Sequence, residues 1–256
     1  MRIATWNVNS LKIRLPHLLQ WLASHQPDVM CLQETKLEDA AFPRDDIAAA
    51  GYQVLCCGQK TYNGVAILSR QPASDVVDAL PDFDTTHKRL LAATIAGVRY
   101  VCVYVPNGES PTSDKYPFKL GWLSALRDWL KAELGRHPRL AVLGDFNIAP
   151  EERDVHDPAL WAGRIHFTEP EKAALRELYA LGLKDSFRLF EQPPGSYTWW
   201  DYRMNAFRRK MGLRIDHILV SPALAASCKA CTVDVEPRRL ERPSDHAPVF
   251  ADFSAA

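Results

Sequence analysis

The chain has 256 residues, 47% hydrophobic and 24% charged, with 31 basic residues balanced by 31 acidic ones. That composition is ordinary for a globular protein, and a net charge of zero excludes one that coats nucleic acid by bulk charge. No run of about 18 apolar residues occurs, which excludes a membrane-spanning helix.

The chain enters strand-like sequence at Arg2 with no apolar signal core, so a cytoplasmic location is expected. Arg2–Asn7 reads as a strand ending in Asn7-Val8-Asn9-Ser10, with Ser10 placed to cap a helix. Leu11, Leu15, Leu18, Leu19 and Leu22 recur at helical spacing up to Pro27. Residues 29–32 form a buried strand that ends in Gln33-Glu34-Thr35-Lys36. Strands over 51–57 and 65–69 flank the turn former Asn63-Gly64. A hairpin follows, 90–95 and 98–105 around Ala96-Gly97, ending in Tyr104-Val105-Pro106-Asn107-Gly108.

A helix is predicted over 118–134, where Lys115 and Lys119 read as solvated lysines at its start. The strand at 139–144 runs into Gly144-Asp145-Phe146-Asn147; if its extended geometry persists, Asp145 and Asn147 point the same way, while Gly-Asp-x-Asn also suits a tight turn. A loop over 148–170, a helix over about 170–181 and an irregular stretch at 190–214 follow. In that stretch Trp199, Trp200 and Tyr202 are interleaved with Arg203, Arg208, Arg209 and Lys210, a pattern suited to stacking on nucleotides and gripping phosphates. Strands at 214–220, 229–235 and 249–253 close the chain, the last after Ser244-Asp245-His246. Six cysteines, mostly within apolar runs, read as reduced core thiols. With no repeat, linker or composition break, one domain over 1–256 is the expectation.

Polar groups thus border apolar strands six times: Asn7, Glu34, Tyr104 with Asn107, Asp145 with Asn147, Asp216, and Asp245 with His246. Gathered on one rim, these carboxylates repel one another unless a cation joins them. Oxygen donors with a single histidine favour Mg²⁺, with Mn²⁺ as a substitute, over zinc. Such a site suits hydrolysis of a phosphate ester.

In this order and spacing, Trp6-Asn7-Val8-Asn9, Leu32-Gln33-Glu34-Thr35-Lys36, Tyr104-Val105-Pro106-Asn107-Gly108, Gly144-Asp145-Phe146-Asn147, Arg214-Ile215-Asp216-His217 and Ser244-Asp245-His246 resemble the motif set of the exonuclease III family, within the endonuclease/exonuclease/phosphatase superfamily. The resemblance runs from residue 2 to residue 253. It implies an α/β fold, a four-layer α/β sandwich of two packed mixed β-sheets flanked by helices. It also implies a monomeric, Mg²⁺-dependent DNA repair nuclease acting on duplex DNA with abasic sites or with damaged or recessed 3′ ends. By the same resemblance Glu34 is the principal metal ligand, with Asn7 and Asp245 nearby. Asp145 orients or deprotonates water, Asn147 and Asn107 donate to the phosphate, and Tyr104 stands beside it. Asp216 orients the His246 imidazole, and either His246 or Asp145 can serve as general base. Lys36 lies against Glu34 and the phosphate, Trp199 walls the sugar pocket, and Arg203 and Arg208 reach the duplex. Leu213 stands where some relatives carry a larger aromatic. His166 stands where relatives often carry a small residue; its bulk is expected to hinder internal abasic sites more than 3′ ends.

Two other readings share these residues: a phosphatase or phosphodiesterase for inositol phosphates or phospholipid headgroups, and a non-catalytic DNA-binding module. The Trp/Arg stretch favours DNA over the first, and the complete set of acids disfavours the second.

Overall fold

Successive side chains of a strand point to opposite faces, and in this protein both sets are apolar. The computed structural model, which describes residues 1–83 and 86–254, shows why. Twelve strands are present among the described residues: β1 (Arg2–Asn7), β2 (Val29–Gln33), β3 (Gln53–Cys57), β4 (Val65–Ser69), β5 (Ala73–Val77), β6 (Leu90–Ile95), β7 (Val98–Tyr104), β8 (Leu140–Asp145), β9 (Lys184–Asp185), β10 (Asp216–Val220), β11 (Cys228–Val233) and β12 (Val249–Phe253). They form two six-stranded mixed sheets, ordered β11-β12-β1-β2-β4-β3 and β5-β6-β7-β8-β10-β9. The α-helices are α1 (Leu11–His25), α2 (Arg44–Ala49), α3 (Lys115–Arg136), α4 (Pro158–Trp161), α5 (Glu169–Ala180) and α6 (Pro222–Ala225).

Ile3, Cys31, Ile67, Leu91, Cys102, Leu143 and Ile218 meet between the sheets. Their neighbours Ala4, Met30, Leu32 and Leu68 face outward onto Leu11, Leu18 and Leu22 of α1 and Ile47 of α2. On the other side Ala92, Val101, Val103 and Val142 pack under Leu123, Leu126 and Leu130 of α3 and Leu175 and Leu178 of α5. The result is the expected four-layer sandwich. The hairpin turn at Ala96-Gly97 is present, with positive φ at both residues (49° and 75°). Strand β5 escapes sequence reading because Ala73–Val77 is an edge strand, mostly exposed and without an apolar alternation. Ser10 occupies the N-cap position of α1, yet its φ is 85° and its side chain makes no capping bond. Backbone bonds tie this start instead to the loop carrying Glu34: Ser10 N–H to Glu34 O (2.8 Å) and Leu11 N–H to Thr35 O (3.0 Å).

Strand direction builds the rim. Parallel β1 and β2 end side by side, Asn7 opposite Gln33, and parallel β7 and β8 end with Tyr104 opposite Asp145. β10 is antiparallel to β8 and begins where β8 ends, Asp216 opposite Asp145. β12 is antiparallel to β1, so the loop before it reaches the same rim. There Ser244 Oγ donates to Asn7 O (2.7 Å) and Trp6 Nε1 to His246 O (3.0 Å).

Gly144 makes this register possible. Its φ is 156°, and a Cβ there would lie 1.9 Å from the carbonyl oxygen of Val103, its partner in β7. Gly144→Ala is therefore expected to lower unfolding stability by about 3 kcal/mol or more. Urea unfolding followed by circular dichroism checks this, and an unchanged midpoint would show that the strand relaxes freely.

Candidate active site

Asp216 and His246 anchor the centre. Thr198 Oγ accepts the backbone N–H groups of Ile215 and Asp216 (3.0 and 3.1 Å), which fixes where β10 begins. Below it, the buried Arg214 guanidinium is held by Asp154 (2.6 Å) and Asp185 (2.8 Å). Asp216 Oδ2 lies 2.9 Å from His246 Nδ1, leaving His246 Nε2 facing Asp145 Oδ2 at 3.7 Å. His217, next along β10, faces away and bonds the Ile148 carbonyl (2.8 Å). Burial alone would lower the His246 pKa, but Asp216 and then Asp145 outweigh it and raise it to about 10. Burial pushes the Asp145 carboxyl up to about 7, against the pull of the imidazolium.

Asn7 stands between two carboxylates, its Nδ2 donating to Glu34 Oε1 and to Asp145 Oδ2, both at 2.9 Å. Its Oδ1 is occupied by the Asn9 N–H (3.0 Å), so Asn7 meets the cluster as a donor. Lys36 Nζ lies 3.0 Å from Glu34 Oε2 and donates to Asn9 Oδ1 (2.6 Å). Candidate ligand atoms of Glu34, Asp145 and His246 lie within 4.8 Å of one another, and no ion is placed among them. Asp245 stands outside that group, its oxygens accepting from Asn9 Nδ2 and Trp199 Nε1, each at 2.9 Å. A cluster richer in carboxylates than in cations, with hard oxygen donors, fits a divalent cation.

Tyr104 lies beside this centre. Burial raises its phenol pKa well above the usual value, and the charges of Glu34 and Asp145 add to that, so it remains a neutral O–H donor. Arg89, not singled out from sequence, sets its guanidinium 4.6 Å from the Tyr104 ring centre.

The extended geometry does not persist past Asp145. Asn147 has φ of 52°; its backbone N–H turns back onto Asp145 Oδ1 (2.9 Å) and its Nδ2 donates to Val105 O (3.0 Å). Asn107 Nδ2 donates to Asn147 Oδ1 (3.3 Å), joining the amides that follow β7 and β8. Glu34 and Lys36 also have positive φ (51° and 55°), so strained backbone gathers at this rim.

Trp199 is half-buried and Trp200 is buried under Tyr197, Ala206 and Ala247. Arg203 and Arg208 are exposed, Arg203 pairing with Asp201 (2.7 Å). Leu213 is fully buried with Ala149, Val155, Phe167 and Ile215 behind Trp199, so it backs the wall from inside. On the opposite flank a groove of about 800 Å³ is lined by Tyr62, Asn63, Arg89, Asn107, Lys115 and Phe118. Lys115 is exposed and paired with Glu109 (2.7 Å), but Lys119 is wholly buried against Glu171, which corrects its reading as a solvated lysine.

Fold and rim define a phosphoesterase built on two packed sheets. The chain belongs to the endonuclease/exonuclease/phosphatase family, which it matches over residues 4–246, and it is an enzyme of the exodeoxyribonuclease III type. It is 35% identical to exodeoxyribonuclease III of Haemophilus influenzae, over 99% of this chain and 100% of that protein. It is also similar to the solved structure of the 3′ phosphatase NExo from Neisseria bound to a product DNA hairpin (48% identity, TM-score 0.98, all of both chains). An AP endonuclease structure from Archaeoglobus fulgidus is similar too (39%, TM-score 0.96, all of both chains).

His166 reaches the site from behind Asn147. It is buried, its Nδ1 is 2.8 Å from the Asn147 carbonyl, and its ring lies between those of Trp161 (6.4 Å) and Trp199 (6.1 Å). Burial lowers its pKa to about 4, with the Lys119 cation adding to the shift. An unfolded chain protonates this imidazole below about pH 6.5 while the folded one resists. Stability is therefore lost as pH falls from about 6.5 towards 4, by up to about 3 kcal/mol from this group. Urea midpoints of wild type and His166→Gly are expected to diverge over that window, the wild type showing the steeper loss. Parallel curves would place the titration elsewhere. The φ of 73° at this position suits glycine.

Proposed function

We propose that this enzyme is a Mg²⁺-dependent DNA repair nuclease that hydrolyses phosphate esters at 3′ termini of duplex DNA, releasing 3′-phosphates and terminal nucleotides. Incision 5′ to internal abasic sites is the weaker activity. The arrangement that carries this reading is the Asp216–His246–Asp145 line facing the paired amides of Asn107 and Asn147. It puts a water-orienting carboxylate and a set of phosphate donors on one rim.

In this reading Asp145 orients the attacking water and takes up its proton. The imidazolium of His246, held by Asp216, donates to a non-bridging phosphate oxygen. Each amide nitrogen carries two hydrogens, and with one used inside the protein the other is free for the phosphate. Tyr104 donates its O–H near the leaving oxygen. Glu34, with Asp145 sharing the cluster, would hold the Mg²⁺ ion; Asn7, a donor to both carboxylates, and Asp245, through Asn9, would keep those ligands in place. Bound there, the ion neutralises charge that builds on the phosphoryl group. Lys36 balances Glu34 and faces the phosphate. Arg203, Arg208 and the Trp199 ring supply a local grip on DNA that a chain of zero net charge otherwise lacks. The groove beside Tyr62 and Lys115 offers the strand a path on the other flank. Similarity to a solved 3′ phosphatase bound to product DNA supports the choice of 3′ ends.

His166 stiffens the wall between Trp161 and Trp199, where a flipped sugar within a continuous strand needs room. A 3′ terminus has nothing beyond it and needs less.

Two measurements test this reading. Asp145→Asn is expected to lower metal-dependent turnover of a 3′-phosphate hairpin about 10³-fold, within the range for loss of a general base. Turnover near wild type would remove Asp145 from the reaction, and full activity in EDTA would remove the metal. His166→Gly is expected to raise incision of an internal abasic analogue about tenfold while 3′-phosphate release changes less than about threefold. An equal change on both substrates would deny His166 a role in selection.

A further inference from the structure

We infer that the buried Lys119–Glu171 ion pair positions the amides of Asn107 and Asn147 and sets the rate of the chemical step through them. The inference rests on the phosphate-facing role proposed for those two residues.

Lys119 lies in the second turn of α3 and Glu171 in the first turn of α5, and neither side chain is exposed. An ammonium has three N–H donors, and each finds one acceptor here. One bonds Glu171 Oε1, one the Asn147 carbonyl (2.7 Å) and one the Asn107 carbonyl (3.1 Å). A single cation therefore ties the turn after β7 to the turn after β8, the two that carry the amides. Gly108 lets the first turn lie against the lysine stem; a Cβ there would come within 3.0 Å of Lys119 Cδ.

Glu171 is equally committed. Oε1 also accepts the His166 N–H (3.1 Å), and Oε2 accepts the Thr168 N–H and hydroxyl (3.0 and 2.7 Å). A buried ion pair is weak evidence for stability, because well-packed apolar groups often serve as well. What apolar groups cannot do is bind two carbonyls and fix their turns. Asn147 needs such fixing: its φ is 52°, and its carbonyl is held by both Lys119 Nζ and His166 Nδ1. An amide displaced by about 1 Å can cost about 10²-fold in rate.

The test measures kcat and KM separately on a 3′-phosphate DNA hairpin at saturating Mg²⁺, normalised to folded enzyme, for Lys119→Met, Asn107→Ala and the double variant. Lys119→Met keeps the apolar stem and is expected to lower kcat by about 10- to 100-fold with KM within about threefold. In the Asn107→Ala background the same change is expected to lower kcat at least about threefold less than it does alone, because one of the two amides it positions is gone. Unchanged kcat for Lys119→Met, or effects that multiply in full, would overturn the inference, since a merely structural pair moves the unfolding midpoint alone. If Lys119→Met does not fold, Glu171→Gln enters the same cycle under the same criteria. If Asn107→Ala and Asn147→Ala both leave kcat intact, the phosphate-facing role itself fails. If both impair kcat and the lysine change does not, only the positioning role fails.

Discussion

Both faces of both sheets are covered, one by the opposing sheet and one by helices, and this leaves chemistry a single outlet at the strand ends. A carboxylate within β1, β2, β7 or β8 would lie against Trp6, Leu32, Cys102 or Leu143 with nothing to hydrate it. Only at a strand's last residue, as at Asp145 of β8, does the same group meet the rim and a partner from the next strand. Because β10 and β12 run back against β8 and β1, their starts fall beside the ends of the other four. Residues far apart in the chain, such as Asn7 and His246, converge without any long loop having to be ordered.

Convergence of like charges is the cost, and the structure offsets it by interposing donors. Asn7 places one amide nitrogen against both Glu34 and Asp145. His246 sits between Asp216 and Asp145 and is held as a cation by them. Lys36 closes the outer side of Glu34 and, through Asn9, is linked to Asp245 and the Trp199 nitrogen. The carboxylates are thus bridged one by one, and the remaining excess of negative charge suits the cluster to a divalent cation.

The layers were legible because the rule behind them is local. Apolar runs of five to seven residues mark strands buried on both faces, and leucines at helical spacing mark the covering helices. The rim was legible because each of its residues borders such a run, at the end of β1, β2, β7 and β8 or at the start of β10 and β12. Less was visible wherever a long-range partner decides the outcome. Lys119 looks like any solvated lysine near a helix start; its partner lies 52 residues later, and the turns it holds belong to two other segments. Gly144-Asp145-Phe146-Asn147 suits a tight turn as well as a continued strand, and the left-handed backbone of Asn147 makes it the turn, sending the side chain towards Val105. Ser10 has the right residue type for a cap, yet the Glu34 loop supplies the bonds first. β5 gave no signal because Ser74, Asp75 and Val76 are all exposed and Ala73–Val77 carries no apolar alternation.

The Asn147 carbonyl is where reaction and selectivity meet. Lys119 holds it on one side and His166 on another, while the Asn147 side chain meets Asn107 and the Val105 carbonyl. A small residue at position 166 would open the wall but also release one of the two bonds on that carbonyl. Widening the pocket and keeping the amide in place are therefore coupled demands on one residue. The Lys119–Glu171 pair lowers the conflict, since it secures the carbonyl independently of what stands at position 166. In the proposed reading, a change of lesion preference passes through His166 while the hydrolytic rim stays intact, provided the buried lysine remains.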